Sequence, residues 1–151
     1  MPAIVPALER ILLTLWIGGL WVVGLVVAPT LFVELPDTAT AGTIAGSLFT
    51  TMSRIGLVCA SMLLLLGWLQ RTCHARRWPL LLVVAMMVLV VLGEYVLAPM
   101  ITELRVAGQV ASPRFGLLHG LARGVYLVNC VLGLVLLVIW RDPTKLHGAS
   151  S

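Results

Sequence analysis

Charged side chains are scarce in this sequence of 151 residues. Ten Lys or Arg and six Asp or Glu make up 11% of the chain, whereas 60% of it is hydrophobic. A soluble domain is about one-quarter charged, so the composition excludes that class and predicts one integral membrane domain over residues 1–151. The net charge of +4 does not indicate a nucleic-acid partner, because the cations flank apolar runs.

Sequence motifs of familiar enzyme chemistry are also missing. The three cysteines, Cys59, Cys73 and Cys130, form no CxxC pair and no zinc-finger spacing. The chain has no nucleophile elbow, phosphate-binding loop, HExxH sequence or pair of neighbouring catalytic carboxylates. We therefore expect a protein that is not an enzyme and that has no resident cofactor.

Four long apolar runs are present, at about residues 8–32, 43–69, 79–101 and 115–140. About 20 helical residues cross a bilayer core that is about 30 Å thick. Each run is predicted to be an α-helix, because lipid offers backbone N–H and C=O groups no other partner. Short loops join the runs, so the sequence predicts an antiparallel bundle of four transmembrane helices.

Basic residues predict the orientation of this bundle. Arg10 lies at the start of the first run, Arg71, Arg76 and Arg77 lie between the second and third, and Lys145 is in the C-terminal tail. All three segments fall on one side of a four-span chain. The positive-inside rule then predicts a bacterial inner-membrane protein with both termini in the cytoplasm.

The two halves of the chain resemble each other weakly. VVAPTLFVEL in the first half is similar to VLAPMITEL in the second, and MSRIG is similar to LARGV. Pro29 precedes Arg54 by 25 residues, and Pro99 precedes Arg123 by 24. Two repeated helical hairpins and a chance similarity are equally open alternatives. Each proline is interpreted as the end of its helix rather than as a hinge.

A few charged residues fall inside the apolar runs. Glu94, Arg54 and Arg123 lie at similar estimated depths, about 10–16 Å from the same end of the bundle. A lone charge at such a depth costs about 3 kcal/mol on insertion scales. We therefore expect a buried cluster in which Glu94 pairs with Arg123 or with Arg54. The alternative is that each arginine reaches the interface alone.

The fourth run carries a polar stripe and a stripe of glycines. His119, Arg123, Tyr126 and Cys130 follow helical spacing, with His119 interpreted as a hydrogen-bonded residue and, alternatively, as a metal or haem ligand.

Small residues lie on another face of the fourth helix. They are predicted to pack inside the bundle or, alternatively, at a contact between two copies of the chain. These glycines are Gly116, Gly120 and Gly124, with Gly42 and Gly46 forming a similar ridge on the second helix.

Segments from most of the chain resemble a known family. LWIGGLWVVGLVVAPTLF, AGTIAGSLF and PRFGLLHGLARGVYLVN are similar to the domain-of-unknown-function family 4149, the bacterial relatives of transmembrane protein 205. That resemblance implies a four-span membrane protein without an established reaction, and it hints at secretion or metal handling. The WIGGL segment is more remotely similar to copper resistance protein D and to the HemJ-type protoporphyrinogen oxidase. The latter uses an early histidine and an intramembrane lysine, but this chain has neither.

The sequence therefore favours an accessory subunit, or an oligomeric transport or resistance component, of unknown substrate. Its expected partners are the lipid bilayer and other membrane subunits or further copies of the chain. One alternative is a redox protein that binds haem b. Another is a metal-ion carrier that uses His119, Met100 and Glu103.

Overall fold

The computed structural model describes residues 4–69 and 77–140. Its four long helices are α1 (Ile4–Glu34), α2 (Thr38–Leu69), α3 (Trp78–Val106) and α4 (Pro113–Ile139). Each helix packs against the next in sequence, and α1 also packs against α4, which closes a ring. This confirms the predicted antiparallel bundle of four membrane-spanning helices. The loop and tail cations used to predict its orientation, including Arg71, Arg76 and Lys145, lie outside the described residues.

Short, capped turns join the helices within each half of the chain. The Asp37 carboxylate accepts hydrogen bonds from the backbone N–H groups of Ala39 and Thr40, at 3.1 and 2.9 Å, so it caps α2. The Ser112 hydroxyl caps α4 by accepting from the N–H of Phe115 at 3.2 Å. Gly108, with a φ of 70°, ends α3 in a conformation that favours glycine. We call this end of the bundle the turn end and the opposite one the terminal end.

Both odd-numbered helices contain a π-helical segment directly before an Ala-Pro pair. The segments are Val23–Val27 in α1 and Gly93–Leu97 in α3. Ala28 donates its N–H to the carbonyl of Val23, and Ala98 does so to Gly93, five residues back in each case. The wider turn gives the proline ring the room that a regular α-helical turn lacks. The helices continue to Glu34 and Val106, so the prediction that the prolines end them is wrong.

The two halves of the chain share this local structure. Val23–Val27 and Gly93–Leu97 begin 70 residues apart (93 − 23), and each is followed by a proline and a further helical segment. A common backbone irregularity at corresponding positions favours repeated hairpins over chance similarity. We call α1 with α2 the first hairpin and α3 with α4 the second hairpin.

Side chains fill the terminal-end half of the bundle. Trp16, Leu63, Met86 and Leu136, one from each helix, are all 0% exposed. Gly56 permits the close approach of α1, because a Cβ atom there would lie 2.8 Å from Cδ1 of Trp16. The packed core therefore lies toward the terminal end. Different packing at the turn end leaves a cavity.

Candidate binding cavity between the hairpins

A cavity of about 890 Å³ lies between the two hairpins in the turn-end half. All four helices contribute to its wall, and so do both π-helical segments. From the first hairpin the wall takes Leu20, Gly24, Leu25, Ala28, Pro29, Phe32, Gly42, Ala45, Gly46, Phe49, Thr50 and Ser53. From the second hairpin it takes Leu89, Val90, Gly93, Glu94, Ala98, Ile101, Thr102, Arg105, His119, Ala122, Arg123, Val125, Tyr126, Leu127 and Asn129.

The two sides of this cavity differ in charge. Among the described residues, every charged side chain of the wall, and its one histidine, belongs to the second hairpin. These are Glu94 and Arg105 on α3 and His119 and Arg123 on α4. The first hairpin contributes aliphatic and aromatic side chains, glycines and two hydroxyls. The cavity therefore has an uncharged wall that faces a charged one.

Arg105 is a wall residue that the hydropathy pattern assigned to a loop. The predicted third span ended at residue 101, but α3 continues to Val106. Arg105 is half-buried, and its Nη1 atom donates to the carbonyl of Gly42 at 3.4 Å. Glu94, Ala98 and Ile101 precede it at spacings of four, three and four, which places all of them on one helix face. This periodicity was the available signal for Arg105.

The polar stripe of α4 divides between the cavity and the core. Three residues of the stripe share one face of α4 and line the cavity: His119, Arg123 and Tyr126. The fourth, Cys130, is buried in the packed core. The His119 ring is half-buried and stacks on Phe115, with 5.8 Å between ring centroids and 7° between planes. This stacking fixes the plane of the imidazole at the wall. It leaves both ring nitrogens available for hydrogen bonds.

Asn129 lies at the deep end of the cavity, away from the turns. Only 3% of its surface is exposed, and its Oδ1 atom has no hydrogen-bond partner among the described residues. An unsatisfied buried polar group of this kind costs about 1–3 kcal/mol, and native structures contain few of them. The amide oxygen therefore has an unused hydrogen-bonding capacity within the described residues.

Tyr126 ties α4 to both helices of the first hairpin. Its hydroxyl donates to the carbonyl of Leu20, in the turn before the first π-helical segment. Its ring meets Phe49 edge-on, with centroids 5.0 Å apart at 77°. Gly24 leaves space for the same ring, because a Cβ atom there would lie 2.8 Å from the tyrosine Cζ. Helical spacing predicted the place of Tyr126 in the polar cluster but did not reveal the role of Gly24.

The structure brings two of the three predicted charge partners to one cavity. Glu94 and Arg123 both line it, but no ion pair joins them within residues 4–69 and 77–140. Arg54 is exposed and lies outside the wall. It follows Ser53, a wall residue, by about 100° around α2. No ion pair joins Arg54 to Glu94 within the described residues either.

The predicted packing glycines also have different surroundings. Gly42 is buried, and a Cβ atom there would lie 3.3 Å from Nη2 of Arg105. Gly46 lines the cavity with open space in front of it. Gly116, Gly120 and Gly124 are exposed, and a Cβ atom added at any of them would have no described atom of another helix within 4 Å. These three therefore do not pack against another described helix, as packing inside the bundle would require.

One buried acid at the terminal end was missed. Glu9 is only 3% exposed, and its Oε2 atom accepts a hydrogen bond from the indole N–H of Trp140 at 3.3 Å. It falls inside the first predicted span, and a carboxylate in an apolar run was the signal. The contact connects the beginning of α1 to the end of α4. Glu9 therefore has a structural role, and it lies outside the cavity.

The three side chains considered for a metal-ion carrier have different surroundings. His119 lines the cavity, Met100 packs against the apolar cluster around Leu97 and Leu118, and Glu103 is exposed. Within the part of the chain that the structure describes, no group of three or more His, Cys, Asp or Glu side chains is placed to hold a metal ion. A ligand role for His119 alone remains a hypothesis.

Comparison with known families gives one match. The family described as Domain of unknown function (DUF4149) matches residues 11–110. Searches of curated proteins and of solved structures give no match. The matched region includes both π-helical segments and Glu94, but it ends before α4, so the PRFGLLHGLARGVYLVN resemblance lies outside it. With two-thirds of its length matched, the chain belongs to the DUF4149 family.

Proposed function

We propose that the protein is a non-enzymatic transport or resistance component of the bacterial inner membrane, which binds a small molecule between its hairpins. The observation that carries this proposal is the cavity of about 890 Å³ with a π-helical segment in each side of its wall. Transporters commonly bind substrates between structural repeats, at interrupted helices. π-helical turns are frequent at functional sites, and ionisable groups within the membrane often mark a pathway.

The proposed orientation gives the cavity a direction. With both termini in the cytoplasm, the turn end faces the periplasm, and the cavity occupies the periplasmic half of the bundle. The core around Trp16, Leu63 and Met86 fills the cytoplasmic half. A single chain therefore offers a chamber closed on one side rather than a continuous pore. Movement of a ligand across the membrane requires the hairpins to rearrange or a second subunit to complete the path.

The outer face of α4 supports the oligomeric form of this proposal. Gly116, Gly120 and Gly124 repeat every fourth residue, and all three are exposed. Small residues at this spacing let two membrane helices approach closely, and lipid otherwise covers them. We propose that another copy or an accessory subunit packs here. Chemical cross-linking in native membranes, compared between wild type and Gly120→Phe, tests this contact independently of the cavity.

The central experiment fills the cavity with one side chain. Gly46→Phe places a ring in open space within the wall, whereas Gly18→Phe makes the same change on α1 outside the wall, also where no atom lies within 4 Å. A deletion strain is first screened for sensitivity to toxic organic ions and metals. Gly18→Phe is expected to restore resistance, and Gly46→Phe is not.

Two results would oppose the proposal. The first is full complementation by Gly46→Phe at wild-type protein levels, because a filled chamber would then be dispensable. The second is a Soret band in the absorption spectrum of the purified protein, which would favour the haem-binding alternative. A normal amount of Gly46→Phe in the membrane fraction controls for misfolding.

A further inference from the structure

From the arrangement of the charged wall we infer a binding site for an organic oxyanion, a carboxylate or a phosphate, held by Arg105, His119 and Arg123. This inference rests on the proposed function, since it names the class of molecule that the cavity holds. Two features of the wall support it. They are the three nitrogen donors that α3 and α4 bring to one cluster, and the position of Glu94 at the deep side of that cluster.

The three basic side chains of the wall lie at successive depths below the turn end. Arg105 lies about 1.5 Å from the turn-end terminus of α3, whereas His119 and Arg123 lie about 9 and 15 Å from the start of α4. Both arginines act electrostatically on the imidazole, so the three groups form one cluster. Because arginine has a long side chain, both guanidinium groups can reach the level of His119. The imidazole therefore marks the middle of the site.

The donors of this cluster are largely unused. Within the described part of the chain, Arg123 has no hydrogen bond or ion pair, and Arg105 makes one hydrogen bond of 3.4 Å, to the carbonyl of Gly42. A guanidinium carries five N–H donors in a planar fork, which matches the oxygens of a carboxylate or a phosphate. The His119 ring, stacked on Phe115, adds an N–H donor. An oxyanion satisfies more of these donors than a single hydroxyl does, because each of its oxygens accepts more than one hydrogen bond.

Glu94 limits how deep the anion can lie. It is about 18 Å from the turn-end terminus of α3, close to the depth of Arg123 and twice as deep as His119. No ion pair joins Glu94 to Arg123 among the described residues, so direct contact does not neutralise that guanidinium. The glutamate repels an anion from the deep end, whereas Arg123 and Arg105 attract it from either side of the imidazole. We therefore expect the anion at the level of His119, between the two guanidinium groups.

The opposite wall indicates that the anion is organic. The first hairpin contributes no charged side chain to the described wall, and Leu25, Phe32 and Phe49 give it apolar surface. Pockets that bind small molecules combine such surface with a few placed polar groups. A fully hydrated inorganic ion would leave this surface without a partner. A free carboxylate or phosphate compound and the phosphate of a lipid head group share the required chemistry.

Three probes of similar shape and different charge test the site. The full-length protein is reconstituted in phosphatidylcholine nanodiscs. Binding of radiolabelled 3-phenylpropanoate, 3-phenylpropanamide and 3-phenylpropylammonium is measured by equilibrium dialysis, with empty nanodiscs as the blank. We expect the carboxylate to bind about tenfold more tightly than the amide, because hydrogen bonds to a charged acceptor are the stronger ones. The ammonium compound should bind most weakly, and binding of either other probe as tight as that of the carboxylate would overturn the inference.

Four substitutions locate the anion. Arg105→Gln and Arg123→Gln should each weaken 3-phenylpropanoate binding about tenfold and leave amide binding unchanged, which also shows that the variants are folded. Arg114→Gln is the matched control, since Arg114 is an exposed arginine in the first turn of α4 outside the wall, and it should have no effect. Glu94→Gln should tighten 3-phenylpropanoate binding at least about threefold, because it removes a like charge. Misfolding cannot produce such a gain.

Three results of these substitutions would overturn the inference. The first is wild-type affinity for 3-phenylpropanoate in both Arg105→Gln and Arg123→Gln. The second is an equal loss in Arg114→Gln, which would indicate a diffuse attraction to the basic turn end. The third is weaker binding in Glu94→Gln, which would place the anion elsewhere.

Native mass spectrometry identifies the source of the oxyanion. Phosphatidylglycerol adducts that the wild type retains and that Arg105→Gln and Arg123→Gln lose would assign the site to a lipid phosphate. Binding of 3-phenylpropanoate without such adducts would assign it to a free anion. Either result supports an oxyanion site at these residues.

Two further outcomes separate the site from the proposed function. If 3-phenylpropanoate does not bind while Gly46→Phe still abolishes resistance, the oxyanion site is wrong and the proposed function stands. If 3-phenylpropanoate binds as expected while Gly46→Phe restores resistance, the oxyanion site stands and the proposed function fails.

Discussion

Replacement of Gly24 by alanine should destabilise the bundle through a single contact. The new methyl would lie 2.8 Å from both Cζ and the hydroxyl oxygen of Tyr126, well inside van der Waals contact. The ring cannot withdraw freely, because its hydroxyl donates to the Leu20 carbonyl and the ring itself meets Phe49 edge-on. Overpacking of a fixed neighbour typically costs about 1–3 kcal/mol, and we expect a loss in this range.

The effect of Gly24→Ala on the free energy of unfolding should have the opposite sign when the tyrosine is absent. In a Tyr126→Ala background the added methyl meets space that the ring has vacated. Alanine is then preferred to glycine within a helix by about 0.5–1 kcal/mol. The double-mutant cycle should therefore show a coupling free energy of about 2 kcal/mol, because each single change removes or creates the same contact.

Reversible unfolding in mixed micelles, followed by far-ultraviolet circular dichroism, measures both effects. Gly18→Ala is the matched control, since it lies on the same helix with no atom within 4 Å of the new methyl, and it should be neutral or slightly stabilising. Equal destabilisation by Gly24→Ala in both backgrounds would refute the reasoning. The methyl would then act on the π-helical backbone rather than on Tyr126.

Three further predictions concern charge and orientation. Glu94→Gln and Arg123→Gln should couple by less than about 1 kcal/mol in thermal melts, because no ion pair joins them; strong coupling would reveal a direct pair. The Thr40 hydroxyl and two backbone N–H groups hold the pKa of Asp37 below its usual 3.8, so its stabilisation is present above that pH and disappears as the pH falls through the lower folded value. The difference in melting temperature between wild type and Asp37→Ala should shrink accordingly below pH 3.8; a constant difference would oppose it. Cys73, outside the described residues, should resist a membrane-impermeant thiol reagent in intact cells; labelling before lysis would reverse the proposed orientation.

Hydropathy was sufficient to predict the four helices, because lipid permits few other structures for a long apolar run. It was less informative about where α3 ends. Thr102, Glu103 and Arg105 lower the hydropathy, so the predicted span stopped at residue 101 although the helix continues to Val106. A search for helical periodicity would have continued the face of Glu94, Ala98 and Ile101 to Arg105. The charged wall was therefore partly predictable from spacing.

Neither depth nor spacing could reveal which side chains meet. Glu94 and Arg123 have matching depths, yet depth does not specify the distance across a cavity. The three glycines of α4 share a face, but only the packing of the other helices decides whether that face is inside or outside. Gly24 and Gly56 each lie against an aromatic ring of another helix. They follow no helical repeat, because each is needed to make room for only one side chain.

Corresponding positions of the two hairpins explain how a repeated backbone gives an asymmetric cavity. Gly24 and Glu94 are each the second residue of a π-helical segment, 70 positions apart, and both line the cavity. In the first hairpin the absent side chain admits Tyr126 from α4, which closes that side with a packed ring. In the second hairpin the carboxylate faces the cavity. The same widened turn thus serves contact between hairpins on one side and polarity on the other.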